Sequence, residues 1–169
     1  MSRGKADVKL SGTGVDLEIP RGWEGRVAGR TPDENDDGPA ARAAATADLP
    51  VVAHAANFPL PVELGDFGGG AVEAMRSPDL YVCLFEYGPE SAGTALFARK
   101  GLPRRLANSD FDPFSMRTPM PGMSGVQVFF EEQGRPFSLY VVLGSHLRRF
   151  RSVPAINGIL ETVRIDPRG

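Results

Sequence analysis

The sequence predicts an α+β fold, a twisted antiparallel β-sheet with helices packed on it. Residues 80–85 are apolar on both faces, which indicates a central strand covered on each side. Apolar residues recur at helical spacing over residues 156–163, which indicates a helix lying against a sheet. The 20 Gly and 15 Pro among 169 residues favour short elements and frequent turns. We therefore expect one domain over residues 13–166, preceded by a flexible tail over residues 1–12.

Apolar and charged residues alternate over residues 15–19, which is typical of a half-buried strand. A Pro-Arg-Gly-Trp break follows, and residues 25–29 are expected to return as the second arm of a hairpin, with Trp23 covering one end of the core. Residues 31–48 combine an acidic stretch with an Ala-rich stretch and lack an apolar stripe, so we interpret them as a mobile loop. A strand is expected over residues 51–58.

Residues 68–76 predict a short helix that ends before Pro78. Its side chains expected to face a sheet are Ala71, Val72 and Met75. The central strand is expected to pair with a strand over residues 94–98, across a turn that contains Gly88 and a proline. Residues 101–125 are interrupted by four prolines and predict an irregular loop.

The clearest hairpin joins residues 126–130 to residues 137–143 through a Glu-Gln-Gly-Arg turn. Beyond it, Ser152 is placed to cap the helix that carries the apolar stripe, with Pro154 in the first turn. We expect this helix to give way to an edge strand over residues 162–165.

Two stretches resemble the PsbP-like fold family. Residues 17–25, Leu-Glu-Ile-Pro-Arg-Gly-Trp-Glu-Gly, are similar to its amphipathic strand that ends in a proline and a Gly-Trp turn. Residues 134–145 and 155–165 resemble its long strand, its helix packed across the sheet and its short last strand. The resemblance covers roughly residues 13–30 and 126–166. It implies an antiparallel sheet with helices on its faces and an accessory or protein-binding role in an assembly, and it carries over no catalytic residue.

Charge and composition bear on the partners of the protein. The net charge of −2 and the pI of about 5.7 argue against a dedicated nucleic-acid binder and against attraction to an anionic membrane. The sequence has no apolar run long enough to cross a bilayer and does not begin like a signal peptide, so we expect a cytoplasmic protein. Lysine occurs only at positions 5, 9 and 100, a bias towards arginine that suggests a GC-rich bacterial genome.

Few residues suit catalysis or metal binding. The imidazole bases are His54 and His146, and the one thiol, Cys83, lies in the middle of the apolar central strand, where a thiol is usually an inert core group. The acidic residues between positions 33 and 37 lack the spacing of a calcium loop. We therefore predict no catalytic residue, no metal and no cofactor.

Two other features could bind an anion. The glycine-rich residues 65–70 precede the short predicted helix, but they lack a phosphate-binding fingerprint, and a flexible helix start is the favoured interpretation. Basic clusters occur near residues 100 and 150, and they would form a site for phosphate, nucleic acid or an acidic protein surface if the fold joined them. Solvated strand ends are the favoured interpretation of these clusters. The anion-binding candidates are Arg104, Arg105, Arg148 and Arg149.

The segment over residues 111–123 concentrates Phe and Met between prolines, a composition typical of adaptable protein-binding surfaces. The partner-binding candidates are Phe111, Phe114, Met116, Met120 and Met123. The simpler alternative is that these side chains fold back and cover the end of the sheet.

The sequence thus favours a non-catalytic binding or accessory module that docks on a larger protein. One alternative is a small-ligand-binding protein or enzyme with a pocket near the 101–125 loop, using His146, Arg148 and Arg149. Another is self-assembly through an exposed strand edge.

Overall fold

A computed structural model describes residues 7–29 and 50–168, which form two antiparallel β-sheets and one α-helix. The strands are β1 (Val8–Gly12), β2 (Val15–Ile19), β3 (Glu24–Gly29), β4 (Val51–Ala56), β5 (Leu80–Glu86), β6 (Ser124–Glu132), β7 (Arg135–Leu143) and β8 (Arg164–Ile165), and the helix is α1 (Arg149–Leu160). The mixed α and β content with dominant antiparallel sheets agrees with the predicted class. The predicted loop over residues 31–48 and residues 1–6 lie outside the described part of the chain.

The larger sheet has the strand order β3-β4-β5-β7-β6, and all its pairings are antiparallel. Its middle strand β5 is buried along its whole length, which confirms the predicted central strand. The predicted hairpin is also confirmed, because β6 and β7 pair in register from Ser124 with Leu143 to Glu132 with Arg135. Gln133 and Gly134 have φ angles of 55° and 73°, as the turn of a tight hairpin requires.

The smaller sheet has the order β1-β2-β8 and corrects two predictions. Residues 8–12 are not a tail but form β1, which pairs with β2 across a turn at Thr13 and Gly14 with φ angles of 52° and 74°. Strands β2 and β3 do not form a hairpin, because they belong to different sheets. The break around Trp23 carries the chain from one sheet to the other, where Trp23 packs against the core.

The predicted strand over residues 94–98 is wrong. Ala95–Phe97 forms a 3-10 turn, and the places beside β5 are occupied by β4 and β7. The reason lies in side-chain packing, because Phe97 is buried beside Tyr87 and Phe129, with ring centroids 5.2 and 5.8 Å away. An aromatic cluster therefore fixes this segment without strand pairing.

The predicted helix over residues 68–76 shortens to a 3-10 turn, Val72–Ala74. Gly68 and Gly70 have φ angles of 80° and 91°, which an α-helix cannot continue through. The predicted inward-facing side chains are nonetheless buried, namely Ala71, Val72 and Met75.

Helix α1 begins at Arg149, directly after the 3-10 turn His146–Arg148, so the predicted cap at Ser152 is wrong. Pro154 lies inside the helix instead of in its first turn. The apolar stripe is confirmed, because the helix buries Val153, Ile156, Ile159 and Leu160. The short final strand β8 is confirmed as well.

The larger sheet has a hydrophobic cluster on each face. One face packs against the smaller sheet and α1. The other face is covered by irregular segments over residues 57–79 and 112–123, whereas residues 102–111 pack on the first face beside α1. The predicted irregular loop is thus present, with a 3-10 turn at Asn108–Asp110, although β6 begins at Ser124.

A buried ionic cluster joins the two sheets. Glu86, at the end of β5, accepts hydrogen bonds from Arg135 at 2.9 and 3.0 Å and from Arg168 at 2.7 and 3.0 Å. The Val51 N–H of β4 donates to the same carboxylate at 2.9 Å. Arg135 also donates to the carbonyls of Thr13 and Asp166, both at 2.9 Å. One carboxylate therefore connects β4, β5 and β7 with the β1–β2 turn and the segment after β8.

We expect Glu86→Gln to lower the free energy of unfolding by about 3 kcal/mol, because it leaves Arg135 buried without its counter-charge. Urea denaturation measures this change. The matched control is Glu90→Gln, an exposed position that should change stability little. Equal stability of Glu86→Gln and the wild type would contradict the role of the cluster.

The cluster also predicts a dependence on pH. Burial alone would raise the pKa of Glu86, but hydrogen bonds from Arg135, Arg168 and the Val51 N–H hold it below its ordinary value of 4.5. A carboxylate with a lowered pKa stabilises the fold above its unfolded pKa, and this contribution is lost as the pH falls through the folded pKa. We therefore expect the stability gap between wild type and Glu86→Gln to shrink below about pH 4.5. Urea denaturation at several pH values measures the gap, and a constant gap would contradict the prediction.

Candidate partner-binding groove

The outer side of α1 exposes two large apolar side chains. Leu147, in the 3-10 turn before the helix, is 81% exposed, and Phe150, in the first helical turn, is 62% exposed. They are three residues apart, which places them on one side of the helix. The inward stripe of α1 is occupied by the core, so neither side chain has a place in it.

An irregular segment over residues 104–108 lies beside the helix and is held there by side chains. Asn157 of α1 donates to the Leu106 carbonyl at 3.0 Å and accepts from the Leu106 N–H at 2.8 Å. Arg104 donates to the carbonyls of Val163 at 2.6 Å and Leu160 at 3.3 Å, at the end of the helix. These bonds hold the segment against the C-terminal end of the helix.

A groove of about 500 Å³ lies between α1 and this segment. Its lining residues are Arg105, Leu106, Ala107, Asn108, Phe150, Val153, Pro154 and Asn157. The buried side chains of Leu106 and Val153 make its base apolar, and the exposed Arg105 lies on its wall. Arg148 and Arg151 are exposed near the start of the same helix. The arrangement suits a ligand that is both apolar and negatively charged.

The structure divides the predicted anion-binding arginines. Arg104 caps the end of α1 and Arg148 precedes its start, so the helix separates them by about 18 Å. Arg149 is half-buried and donates to the His146 carbonyl at 2.9 Å. The two basic clusters therefore do not merge into one patch, and Arg105 is the candidate that reaches the groove.

Most of the predicted Phe/Met contact surface is inside the protein. Phe111, Met116 and Met123 are buried, and Met120 is half-buried against the second core. For most of the segment, the alternative prediction that these side chains fold back onto the sheet is therefore confirmed. The buried Phe and Met side chains pack against the apolar side chains of the two hydrophobic clusters. Phe114 is 85% exposed and remains available at the surface.

The groove could be recognised only in part from the sequence. Leu147, Phe150 and Pro154 lie outside the apolar stripe of the predicted helix, and arginines are next to Leu147 and Phe150. In the sequence, the groove is indicated only by apolar residues that lie outside the buried stripe and next to arginines. The opposite wall could not be found, because Leu106 meets Asn157 across 51 residues.

The Cys83 thiol and the His54 imidazole lie on neighbouring strands but are not a catalytic pair. The two residues are directly opposite on β4 and β5. Burial raises the pKa of the Cys83 thiol to about 12, and the thiol donates to the Asp66 carbonyl at 3.2 Å. Burial and the charge of Arg26 lower the pKa of His54 to about 4, and its ring is hydrogen-bonded to the Tyr81 hydroxyl. Near pH 7 both groups are neutral, so Cys83 is not a thiolate nucleophile.

No protein-family model matches the chain, and no curated protein or solved structure is significantly similar to it. None of the described helices has the length and apolar character needed to cross a membrane. Within residues 7–29 and 50–168, no group of three or more His, Cys, Asp or Glu side chains is placed to hold a metal ion.

We expect the Cys83 thiol to react with iodoacetamide at pH 8 roughly a thousandfold more slowly in the native protein than in the same chain unfolded in urea, because its raised pKa leaves almost no thiolate. Mass spectrometry of time points measures both rates. Comparable rates in the two states would contradict the neutral, buried thiol.

Proposed function

We propose that this protein is a non-catalytic binding module that docks onto an acidic segment of a partner protein through the groove beside α1. The observation that carries the proposal is the meeting of exposed apolar and basic side chains. Arg105 and Phe150 both line the groove, and Leu147, Arg148 and Arg151 are exposed beside Phe150 at the start of the helix. Aromatic and arginine side chains contribute most of the binding energy in protein interfaces.

The charge distribution supports an acidic ligand. The ionisable residues over residues 99–107 and 146–151 are all basic, whereas the whole chain has a net charge of −2. Lys100 and Arg104 pair with Glu131 and Glu132, so Arg105, Arg148 and Arg151 are the exposed charges that bear on a ligand. Arginine binds carboxylates through two parallel hydrogen bonds, so acidic side chains are suited to this surface. The negative charge elsewhere opposes nucleic acid and anionic membranes, which favours a short acidic protein segment.

The shape of the groove supports a segment that also carries an apolar side chain. The surface is concave, with Leu106 and Val153 at its base and Phe150 on its wall. A concave apolar surface buries an inserted side chain on several sides, which a flat surface does not. The hydrogen bonds between Asn157 and Leu106 hold the walls of the groove in place before a ligand binds. The protein therefore loses little conformational entropy on binding.

We also propose that the fold is PsbP-like. What supports this is the order of the last elements, in which the long strand β7 is followed by α1, packed on the sheet, and by the short strand β8. An accessory role in an assembly agrees with a docking groove.

Self-association is an alternative that one feature favours. Strand β3 lies at an edge of the larger sheet, and within the described residues it pairs with β4 alone. An unpaired edge can add a strand from a second copy. Light scattering over a range of concentrations distinguishes a monomer from a self-associating protein.

The groove predicts selective binding of an acidic peptide with a central Phe, measured by fluorescence anisotropy. The peptide should bind more tightly than a peptide with Ala in place of Phe, and more tightly than a peptide with Lys in place of its acidic residues. Added salt should weaken binding of the acidic peptide. Phe150→Asp and Arg105→Glu should each reduce the affinity roughly tenfold or more. Since both side chains are exposed, both variants should remain folded.

Two matched variants serve as controls. Phe114→Asp places the same substitution on the exposed loop, and Arg21→Glu places the same charge reversal in the turn after β2. Both should bind like the wild type. A loss with Phe114→Asp but not with Phe150→Asp would move the contact to the 111–123 segment. Binding of anionic vesicles or single-stranded DNA in preference to the peptide would overturn the proposed partner class.

A further inference from the structure

A second pocket lies on the opposite face of the larger sheet, away from α1. It has a volume of about 250 Å³ and is formed by the glycine-rich loop, the 3-10 turn at Val72–Ala74, strand β7 and part of the 101–123 segment. Its lining residues are Gly65, Asp66, Phe67, Gly69, Val72, Glu73, Arg117, Thr118 and Tyr140. The volume is slightly below the roughly 300–1,000 Å³ of sites for drug-sized ligands, so the pocket suits a small metabolite.

The walls of this pocket are held by interactions within the protein. The Phe67 ring stacks on Phe85 at 4.6 Å between centroids and meets the edge of Tyr140 at 6.0 Å. The loop closes on itself through a 3.0 Å bond from the Gly65 N–H to the Gly69 carbonyl. The Cys83 thiol also donates to the Asp66 carbonyl. The glycine-rich loop is therefore an ordered wall of the pocket.

Opposite charges line the pocket without meeting. The Arg117 guanidinium lies 3.6 Å from the centroid of the Phe67 ring, which fixes its position over the pocket. Glu73 accepts the Gly70 N–H at 2.7 Å with one carboxylate oxygen, and Asp66 also lines the pocket. None of these three charged side chains forms a salt bridge to another described residue. A ligand with both signs of charge would pair with both walls.

Tyr140 supplies a neutral donor at the base of the pocket. Its ring is buried, and burial raises the pKa of its hydroxyl, so the group keeps its proton near pH 7. The hydroxyl oxygen accepts the backbone N–H of Arg117 at 3.0 Å, and its own proton has no acceptor among the described residues. The phenol is therefore able to donate a hydrogen bond to a ligand carboxylate that is already beside Arg117.

We propose that this pocket binds a small zwitterion, of which a free α-amino acid is the simplest case. The carboxylate pairs with Arg117 and the Tyr140 hydroxyl, and the ammonium group pairs with Glu73 and Asp66. A simple anion would approach two carboxylates, and a simple cation would approach a guanidinium, so each would be opposed by part of the lining. This site is independent of the groove beside α1.

Isothermal titration calorimetry with the common free α-amino acids tests the proposal. We expect at least one of them to bind. For that amino acid, the carboxylic acid without the amino group and the amine without the carboxyl group should each bind at least tenfold more weakly. Absence of binding by every amino acid, or equal binding of the carboxylic acid analogue, would overturn the proposal.

Variants locate the binding site. Arg117→Gln and Glu73→Gln should each weaken binding by tenfold or more, since both side chains are exposed and their loss leaves the core intact. Tyr140→Phe keeps the buried ring and should weaken binding several-fold. Arg21→Gln, exposed in the turn after β2 and outside both sites, is the matched control and should bind like the wild type. Circular dichroism checks that Glu73→Gln is folded. Unchanged binding by this folded variant would overturn the proposal that the pocket recognises the ammonium group of a zwitterion.

Discussion

The arrangement of the two sheets depends on one buried carboxylate, that of Glu86. Its two guanidinium partners, Arg135 and Arg168, approach it from the start of β7 and from the segment after β8, and both bond to it through two nitrogen atoms. Arg135 extends the network to the carbonyls of Thr13 and Asp166. A buried ion pair adds little net stability compared with well-packed apolar side chains, because both charges lose their hydration. Its effect here is geometric, since planar guanidinium groups accept few orientations and therefore fix how the smaller sheet lies on the larger one.

That geometry decides which surfaces are left for binding. The smaller sheet and α1 occupy one face of the larger sheet, so the groove proposed for docking lies on the outer side of the helix. No sheet or helix of the described residues covers the other face, where two irregular segments enclose the pocket beside Tyr140. Irregular segments turn their backbones and polar side chains towards a cavity more readily than a regular helix does, which explains why the charged lining occurs there. The two candidate sites are thus consequences of one layered architecture.

The sequence predicted those elements whose signals are local. The central strand β5, the hairpin β6–β7 and the apolar stripe of α1 each follow from side-chain periodicity or turn residues within a few positions. Strand β1 was not predicted, because residues near the start of the chain were expected to be frayed. The turn at Thr13 and Gly14 contains the glycine that is typical of a hairpin turn. The prediction of a strand over residues 94–98 is wrong because burial of Phe97 against aromatic rings distant in the sequence overrides local strand propensity. The lining of both sites joins segments far apart in the chain, and single-sequence patterns do not specify such contacts.

The segment over residues 101–123 illustrates how composition can mislead about function while still pointing to the right region. Its Phe and Met content suggested an adaptable contact surface, yet Phe111, Met116 and Met123 anchor it to the sheet. Anchoring has the opposite physical effect from adaptability, because it removes the conformational freedom that a flexible surface loses on binding. The same segment presents Arg105 to the groove and Arg117 to the pocket. Phe111 and Met116 are buried between the two exposed arginines in the chain, and they fix the backbone of this segment although it is neither a helix nor a strand. Residues predicted to be the binding surface thus help to preorganise both proposed sites.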